Sequence, residues 1–351
     1  MLSQAMPPKQ EADMELYAAI DLHSNNSVVV VTDASDHVVM AKRFRNDLES
    51  IVTALRSCAG EVRAVAVEST YNWYWLVDGL RSAGFDVRLV NTAAVKQYDG
   101  LKHSDDFSDG KHLAQLLRLG ILPQGYICPP ELRALRDLMR KRAQLVRQRT
   151  ANILSIHNLL ARNLAKSVRG DDIKRLEDAQ IDGLALLEDQ KRAIKANAAV
   201  LRCLEEQILR LERAILAKGR LREEFHGLKT VSGIGDVLAL TIALETGDIH
   251  RFASVGKFAS YARMVNSRRE SNGKNKGIGN RKCGNKHLSW AFIEAAHHAV
   301  RYDPSIRRFY QRKRAKSLSV VAIKAVAHKL ARACYHVMRE GVPYDGTRAF
   351  A

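Results

Sequence analysis

Cysteine pairs, long uncharged apolar runs and phosphate-cradling glycine loops are all missing from this chain, and each absence closes a class. The five cysteines (Cys58, Cys128, Cys203, Cys283, Cys334) form no CxxC pair and no zinc spacing, so they read as reduced thiols of a cytoplasmic protein. The most apolar late stretch, Leu318 to Met338, is broken by Lys324, Lys329 and Arg332, which excludes a membrane span there. No amphipathic segment gathers its charge beside Trp or Phe, as a helix lying on a bilayer does. Residues 1–14 (MLSQAMPPKQEADM) are polar and contain proline, and read as a loose tail rather than a secretory leader. No Rossmann fingerprint or P-loop occurs. Gly273-Lys274 follows no predicted strand, and Asn275 stands where a P-loop needs Ser or Thr.

Acid is scarce too, but unevenly. The 351 residues carry 56 Lys and Arg against 38 Asp and Glu, a formal charge of +18. Residues 1–127 hold 12 basic and 16 acidic side chains, net −4, whereas residues 128–351 hold 44 and 22, net +22. Positive charge on that scale is the electrostatic footprint of a nucleic-acid partner. The length and a hydrophobic content of 46% suit two domains.

Within the acidic part, four carboxylates sit at places where a fold of strands and helices would bring them together. Asp21 ends the run Leu16 to Ile20, and Glu68 ends Val62 to Val67. Both runs are short, apolar and β-rich, as buried parallel strands are. Side by side, their carboxyl ends bring Asp21 and Glu68 to the sheet edge where α/β folds hold ligands. Asp106 and Asp109 are three apart and share a face at the start of a helix through Leu113 to Leu117. Such crowding raises carboxyl pKa values unless a cation offsets the charge. Mg²⁺ or Mn²⁺ is the natural choice, and a paired-metal site clamps the attacking and leaving oxygens of a phosphodiester. Taken singly, each aspartate is equally a turn or helix cap.

Strands are predicted over 15–22, 27–33 and 37–44, a helix over 47–57, the strand ending at Glu68, a helix over about 72–83 and a strand over 86–90. A three-strand meander followed by alternation is the order of a ribonuclease-H-like domain. Long helices follow over 129–165 and 189–222. The second carries Leu201, Leu204, Ile208, Leu211 and Ile215 at coiled-coil spacing, which fits a hairpin within the chain or a dimerising coiled coil. Then Val231-Ser232-Gly233-Ile234-Gly235 opens a helix over 236–245. Its glycines fit either a helix-hairpin-helix element meeting a DNA phosphate or a tight interhelical turn. The segment Arg263 to Lys286 shows no helical or strand period, and is expected to be a mobile basic loop. Its eight cations are Arg263, Arg268, Arg269, Lys274, Lys276, Arg281, Lys282 and Lys286. Among them stands Ser271, on its own one loop serine of several.

Several of these stretches together resemble one family. They are Ala19-Ile20-Asp21, Val67-Glu68-Ser69-Thr70, Asp106-Phe107-Ser108-Asp109-Gly110 with Leu113-Ala114, Gly233-Ile234-Gly235, Phe258 to Ala262, Arg269 to Lys274, and Lys282-Cys283-Gly284-Asn285. In this order they resemble the DEDD transposases of the IS110 family, a group that includes IS1111-like enzymes and has the Piv/MooV site-specific DNA invertases as relatives. The resemblance runs from about residue 15 to 346. It implies a RuvC-like catalytic domain over 15–127, a helical coiled-coil region over 128–222 and a C-terminal transposase domain over 223–346, with tails at 1–14 and 347–351. It further implies metal on Asp21, Glu68, Asp106 and Asp109, and Ser271 as the nucleophile. Donor and target DNA, a guide RNA transcribed from the element, assembly as a dimer or tetramer, and a prokaryotic, nucleoid-associated location also follow from it. One stretch departs from the pattern: His103-Ser104-Asp105-Asp106 has an extra acid. Counting back from Leu113-Ala114 favours Asp106, and Asp105, four residues from Asp109, is the alternative ligand.

The expected function is therefore RNA-guided DNA strand cleavage and exchange through a covalent phosphoserine. Two readings stand beside it. A metal-only RuvC-like nuclease or Holliday-junction resolvase needs the acids without Ser271, and a non-catalytic DNA- or RNA-binding relative needs neither.

Overall fold

Alternation of side chains organises the first unit. β1 (Glu15–Leu22), β2 (Asn26–Asp33) and β3 (Val38–Arg45) form an antiparallel meander. β4 (Glu61–Glu68) joins β1 in parallel and β5 (Val87–Val90) joins β4, giving the order β3-β2-β1-β4-β5. One face of the sheet, with Leu16, Ala18, Ile20 and Leu22 of β1, packs on Ile51 and Leu55 of α1 (Leu48–Arg56) and on Leu76, Val77 and Leu80 of α2 (Tyr74–Ser82). The alternate residues Ala19 and Ala66 pack with Leu113 and Ala114 of α3 (Asp106–Arg118). Because side chains alternate, Asp21 and Glu68 lie on the α3 side of the sheet. Exposed β3 ends the sheet with Lys42, Arg43 and Arg45, charges that discourage edge-to-edge pairing.

These features come from a computed structural model that describes residues 14–95, 105–265, 270–277 and 283–350. The chain divides into two compact units, residues 1–127 and 128–351.

The second unit is mostly helical. α4 (Pro130–Leu164) and α7 (Glu188–Gly219) pair antiparallel within one chain, with α5 (Gly170–Lys174) and α6 (Asp178–Asp182) between them. Arg142 pairs with Glu212 and Arg149 with Glu205, descending along α7 as α4 ascends. Ile156, Leu160, Ile173, Ile181, Ile194, Ala198 and Leu201 fill the far end of this hairpin. The remaining helices are α8 (Glu223–Lys229), α9 (Asp236–Thr246), α10 (Val255–Tyr261), α11 (Lys286–Tyr302), α12 (Pro304–Arg314), α13 (Ser319–Glu340) and α14 (Gly346–Phe350). From Leu238 to Thr246 α9 is buried on every side, as a central helix is. Among the described residues, no helix is long and apolar enough to cross a membrane.

The glycines before α9 do not act alike. Gly233 has φ +85°, and a Cβ on it would lie 2.3 Å from the Ala295 carbonyl oxygen and 2.7 Å from the Ala299 nitrogen of α11. The side on which a Cβ would stand is filled by α11, so the tight interhelical turn itself requires glycine at 233. A Cβ on Gly235, at the N-terminus of α9, would meet nothing within 4 Å.

The sequence pattern predicts no strand between Arg263 and Lys286, yet a hairpin forms there. β6 (Glu270–Ser271) pairs antiparallel with β7 (Lys274–Asn275). Asn272 (φ +52°) and Gly273 (φ +67°) both occupy the left-handed region, as a two-residue type I′ turn requires. Two-residue strands are too short to show a hydrophobic period, so the Asn-Gly pair was the only local signal.

Candidate functional site

The register of the first unit builds one row across the sheet. Arg43 lies opposite Val28, and Val28 opposite Asp21. Ile20 pairs with Val67, which leaves Asp21 beside Glu68 at the strand ends. Asp21 is buried, at 7% exposure. Burial of Glu68, a hydrogen bond shared with Asp21, and the charges of Asp21 and Asp109 together push the Glu68 carboxyl up to about 8.

α3 begins over the same strand ends. Asp105 caps it, its Oδ1 accepting from the Ser108 nitrogen at 2.7 Å, and that bond holds its carboxyl below the ordinary range. The cap occupies Asp105, whereas Asp106 turns toward the strands. Asp106 Oδ2 accepts from Arg43 Nη2 at 2.6 Å and lies 3.3 Å from His23 Nε2. The Arg43 hydrogen bond and His23 keep the Asp106 carboxyl low. The same His23 nitrogen lies 3.3 Å from Asp21 Oδ2. Asp21, His23 and Asp106 thus offer ligand atoms within 4.8 Å of one another.

Asp109 lines a second part of the site. With Glu68, Thr92, Val95, His112 and Leu113 it encloses a cavity of about 200 Å³. The buried His112 Nε2 has no hydrogen-bond partner. Crowded carboxylates, one forced toward its neutral form, and an orphaned imidazole nitrogen match a divalent cation and its water. The residues present fit such an ion.

Sequence reasoning did not single out His23, Arg43 or His112. His23 stands two residues after Asp21, and His112 three after Asp109, so the strand and helix periods carried a signal for both. Arg43 acquires its place only from pairing across two strands.

In the second unit Ser271 is exposed, next to the type I′ turn, and Lys274 and Lys276 are exposed beside it. Lys286 is exposed at the start of α11. Arg263 has φ +59°, and its Nε donates to the Gly284 carbonyl at 3.0 Å, so part of this cation is spent within the protein. Arg268, Arg269, Arg281 and Lys282 lie outside the described residues.

Two family models match the chain. Residues 18–164 match a DEDD-type transposase model of IS110 elements. Residues 226–311 match the model described as Transposase IS116/IS110/IS902 family. Among similar proteins, one from Pseudomonas aeruginosa, named a "Probable family 20 transposase", is 28% identical over 342 residues, covering 93% of this chain and 97% of its own length. The transposase for insertion sequence element IS1328 of Yersinia enterocolitica is 23% identical over 93% of this chain and 97% of its own. The transposase for insertion sequence element IS1111A of Coxiella burnetii is 24% identical over 271 residues, 76% of this chain and 72% of its own.

Proposed function

The chain belongs to the IS110 family of transposases, and from that membership we propose that it cleaves and rejoins DNA through a covalent bond to Ser271, guided by an RNA transcribed from its element. The first unit is read as a RuvC-like domain. What supports this most is one observation: β1 and β4 end in adjacent carboxylates, Asp21 and Glu68, on the side of the sheet where α3 begins with Asp106 and Asp109.

Asp21, Glu68, Asp106 and Asp109 would hold Mg²⁺, or Mn²⁺, which when bound neutralises phosphate charge and polarises its oxygens. The protein's own groups do the rest. Arg43 orients the Asp106 carboxylate through its 2.6 Å bond, and His23 bridges Asp21 and Asp106. Lys274, Lys276 and Lys286, with Arg268, Arg269, Arg281 and Lys282, contact the phosphate backbone. Ser271 Oγ attacks phosphorus: an Oγ–P bond forms, one P–O bond to deoxyribose breaks, the serine gives up its proton and the departing sugar oxygen takes one up. The phosphodiester is conserved on the protein, and a second strand's hydroxyl reverses the step. Sequence choice lies in base pairing to the RNA, which suits a sequence rich in Arg and Lys and poor in major-groove recognition motifs. The working form is a homo-oligomer, since two element ends and a target meet in one reaction.

A suicide DNA substrate, incubated with the protein, Mg²⁺ and the element's flanking transcript, should give a protein–DNA adduct on a denaturing gel. Mass spectrometry should locate the nucleotide on Ser271. Ser271→Ala should lose the adduct, while Ser267→Ala and Ser289→Ala keep it. Normal cleavage by Ser271→Ala with no adduct would leave a metal-only nuclease as the activity.

A further inference from the structure

Ser271 lies between α10 and α11, and the residues that follow α10 are tied to those that precede α11. Asn285 N donates to the Tyr261 carbonyl at 2.6 Å, and Arg263 Nε donates to the Gly284 carbonyl at 3.0 Å. Asn285 then works in two directions. Its Oδ1 accepts from the nitrogens of His287 (2.8 Å) and Leu288 (3.1 Å), capping α11. Its Nδ2 donates to Glu245 Oε2 at 2.7 Å. Glu245 lies in the last turn of α9 at 3% exposure, and Arg140 of α4 grips it with a fork, Nε to Oε1 at 2.7 Å and Nη2 to Oε2 at 2.8 Å. Burial raises the Glu245 carboxyl, but the bonds from Arg140 and Asn285 outweigh it and hold the group ionised.

This cluster is an expensive way to hold helices together. The rest of α9 from Leu238 to Leu244 is almost wholly apolar, and an apolar replacement for a buried ion pair commonly matches or exceeds its stability. A planar fork and a two-way amide fix direction and distance instead.

We infer that Arg140, Glu245 and Asn285 form a clamp that holds the neck of the serine segment in register with α4 and α9, making Glu245 and Asn285 positioning residues for Ser271. The catalytic consequence rests on the function proposed above, whereas the clamp itself does not. It joins the long α4 hairpin to the nucleophile's segment through one buried carboxylate.

The test uses the full chain and exchanges donor for acceptor. Asn285→Asp keeps an oxygen to cap α11 but turns a carboxylate toward Glu245. The double variant Glu245→Gln/Asn285→Asp removes the clash of two carboxylates and restores the bond between the two side chains in the reversed sense, but leaves one arm of the Arg140 fork without its acceptor. Hydrogen exchange of residues 270–277 reports on the clamp whatever the chemistry, and single-turnover cleavage at saturating DNA reports on its consequence. Asn285→Asp should speed exchange at 270–277 by about tenfold or more and slow cleavage by about a hundredfold, with DNA affinity within about threefold. The double variant should recover part of both, by about threefold or more over Asn285→Asp while staying short of the wild type. Exchange that rises equally through α9, α11 and α13 would mean general loosening and overturn the clamp. So would a double variant no better than the single, including the case in which Asn285→Asp fails to fold. If wild-type protein forms no Ser271 adduct, the proposed chemistry falls while the exchange data still decide the clamp.

Discussion

The carboxylates and the serine stand on opposite kinds of scaffold. Asp21 and Glu68 stand at the carboxyl ends of strands, directly after the buried runs Ala18–Ile20 and Ala64–Val67, and α3 packs over them. Ser271 stands in a two-residue strand beside a tight turn, exposed, within a segment held at its neck. The first arrangement fixes groups that must not move relative to one another. On the proposed function, the second presents a group that would reach a phosphate and then carry it. The charge follows the same division, net −4 against net +22.

The largest effect should fall on the acidic side. Asp21→Ala or Glu68→Ala should cut strand cleavage by at least about a thousandfold, because charge stabilisation at the phosphate is lost. DNA affinity should stay within about threefold, since binding rests on the basic unit. Cleavage in Mg²⁺ at wild-type rate by either variant would erase the contrast between the two regions.

The basic side should show itself in salt. With roughly six phosphate contacts, DNA affinity should fall by about a thousandfold between about 50 and 200 mM salt in a binding titration. A flat response would assign the charge to something other than phosphate.

Gly233→Ala comes next, at about 3 kcal/mol of lost stability, because both the positive φ and the α11 backbone oppose a side chain. Gly235→Ala, with open space around it, should cost well under half of that. Equal losses in chemical denaturation would show that α11 does not enforce the turn.

The acidic site also has a pH signature. Glu68 holds its proton up to about 8 in the folded chain but only up to 4.5 in the unfolded one. Between those values the folded state binds more protons, so without metal stability falls as pH rises through that window. A cation that takes the ionised form reverses the trend, and Mg²⁺ should raise Tm more at pH 8 than at pH 5.5. An increment independent of pH would detach Glu68 from the metal.

The smallest effect should be that of Asp105→Ala, about 1 kcal/mol for a lost helix cap. Cleavage should persist in it and vanish in Asp106→Ala. The reverse result would make Asp105 the ligand.

The two scaffolds also differ in how far sequence alone reveals them. Apolar runs that end in acid announced Asp21 and Glu68, because burial and strand pairing leave a plain pattern along the chain. The coiled-coil spacing from Leu201 to Ile215 likewise exposed the pairing face of α7. Arg43 gave no such sign, since its bond to Asp106 depends on the registers of two strand pairs. The Asn272-Gly273 turn was written in two residues and overshadowed by the surrounding charge. Glu245 and Arg140 are 105 positions apart, and nothing local links them until α4 packs on α9. Long-range polar pairs escape a reading built on periods.

The stereochemistry at phosphorus tests the division of labour most directly. A donor strand carrying a chiral phosphorothioate at the scissile position, followed through complete strand exchange, should retain its configuration. Attack by Ser271 and then by the incoming hydroxyl gives two in-line inversions. Net inversion would mean a single displacement at the carboxylate site, with no covalent role for Ser271.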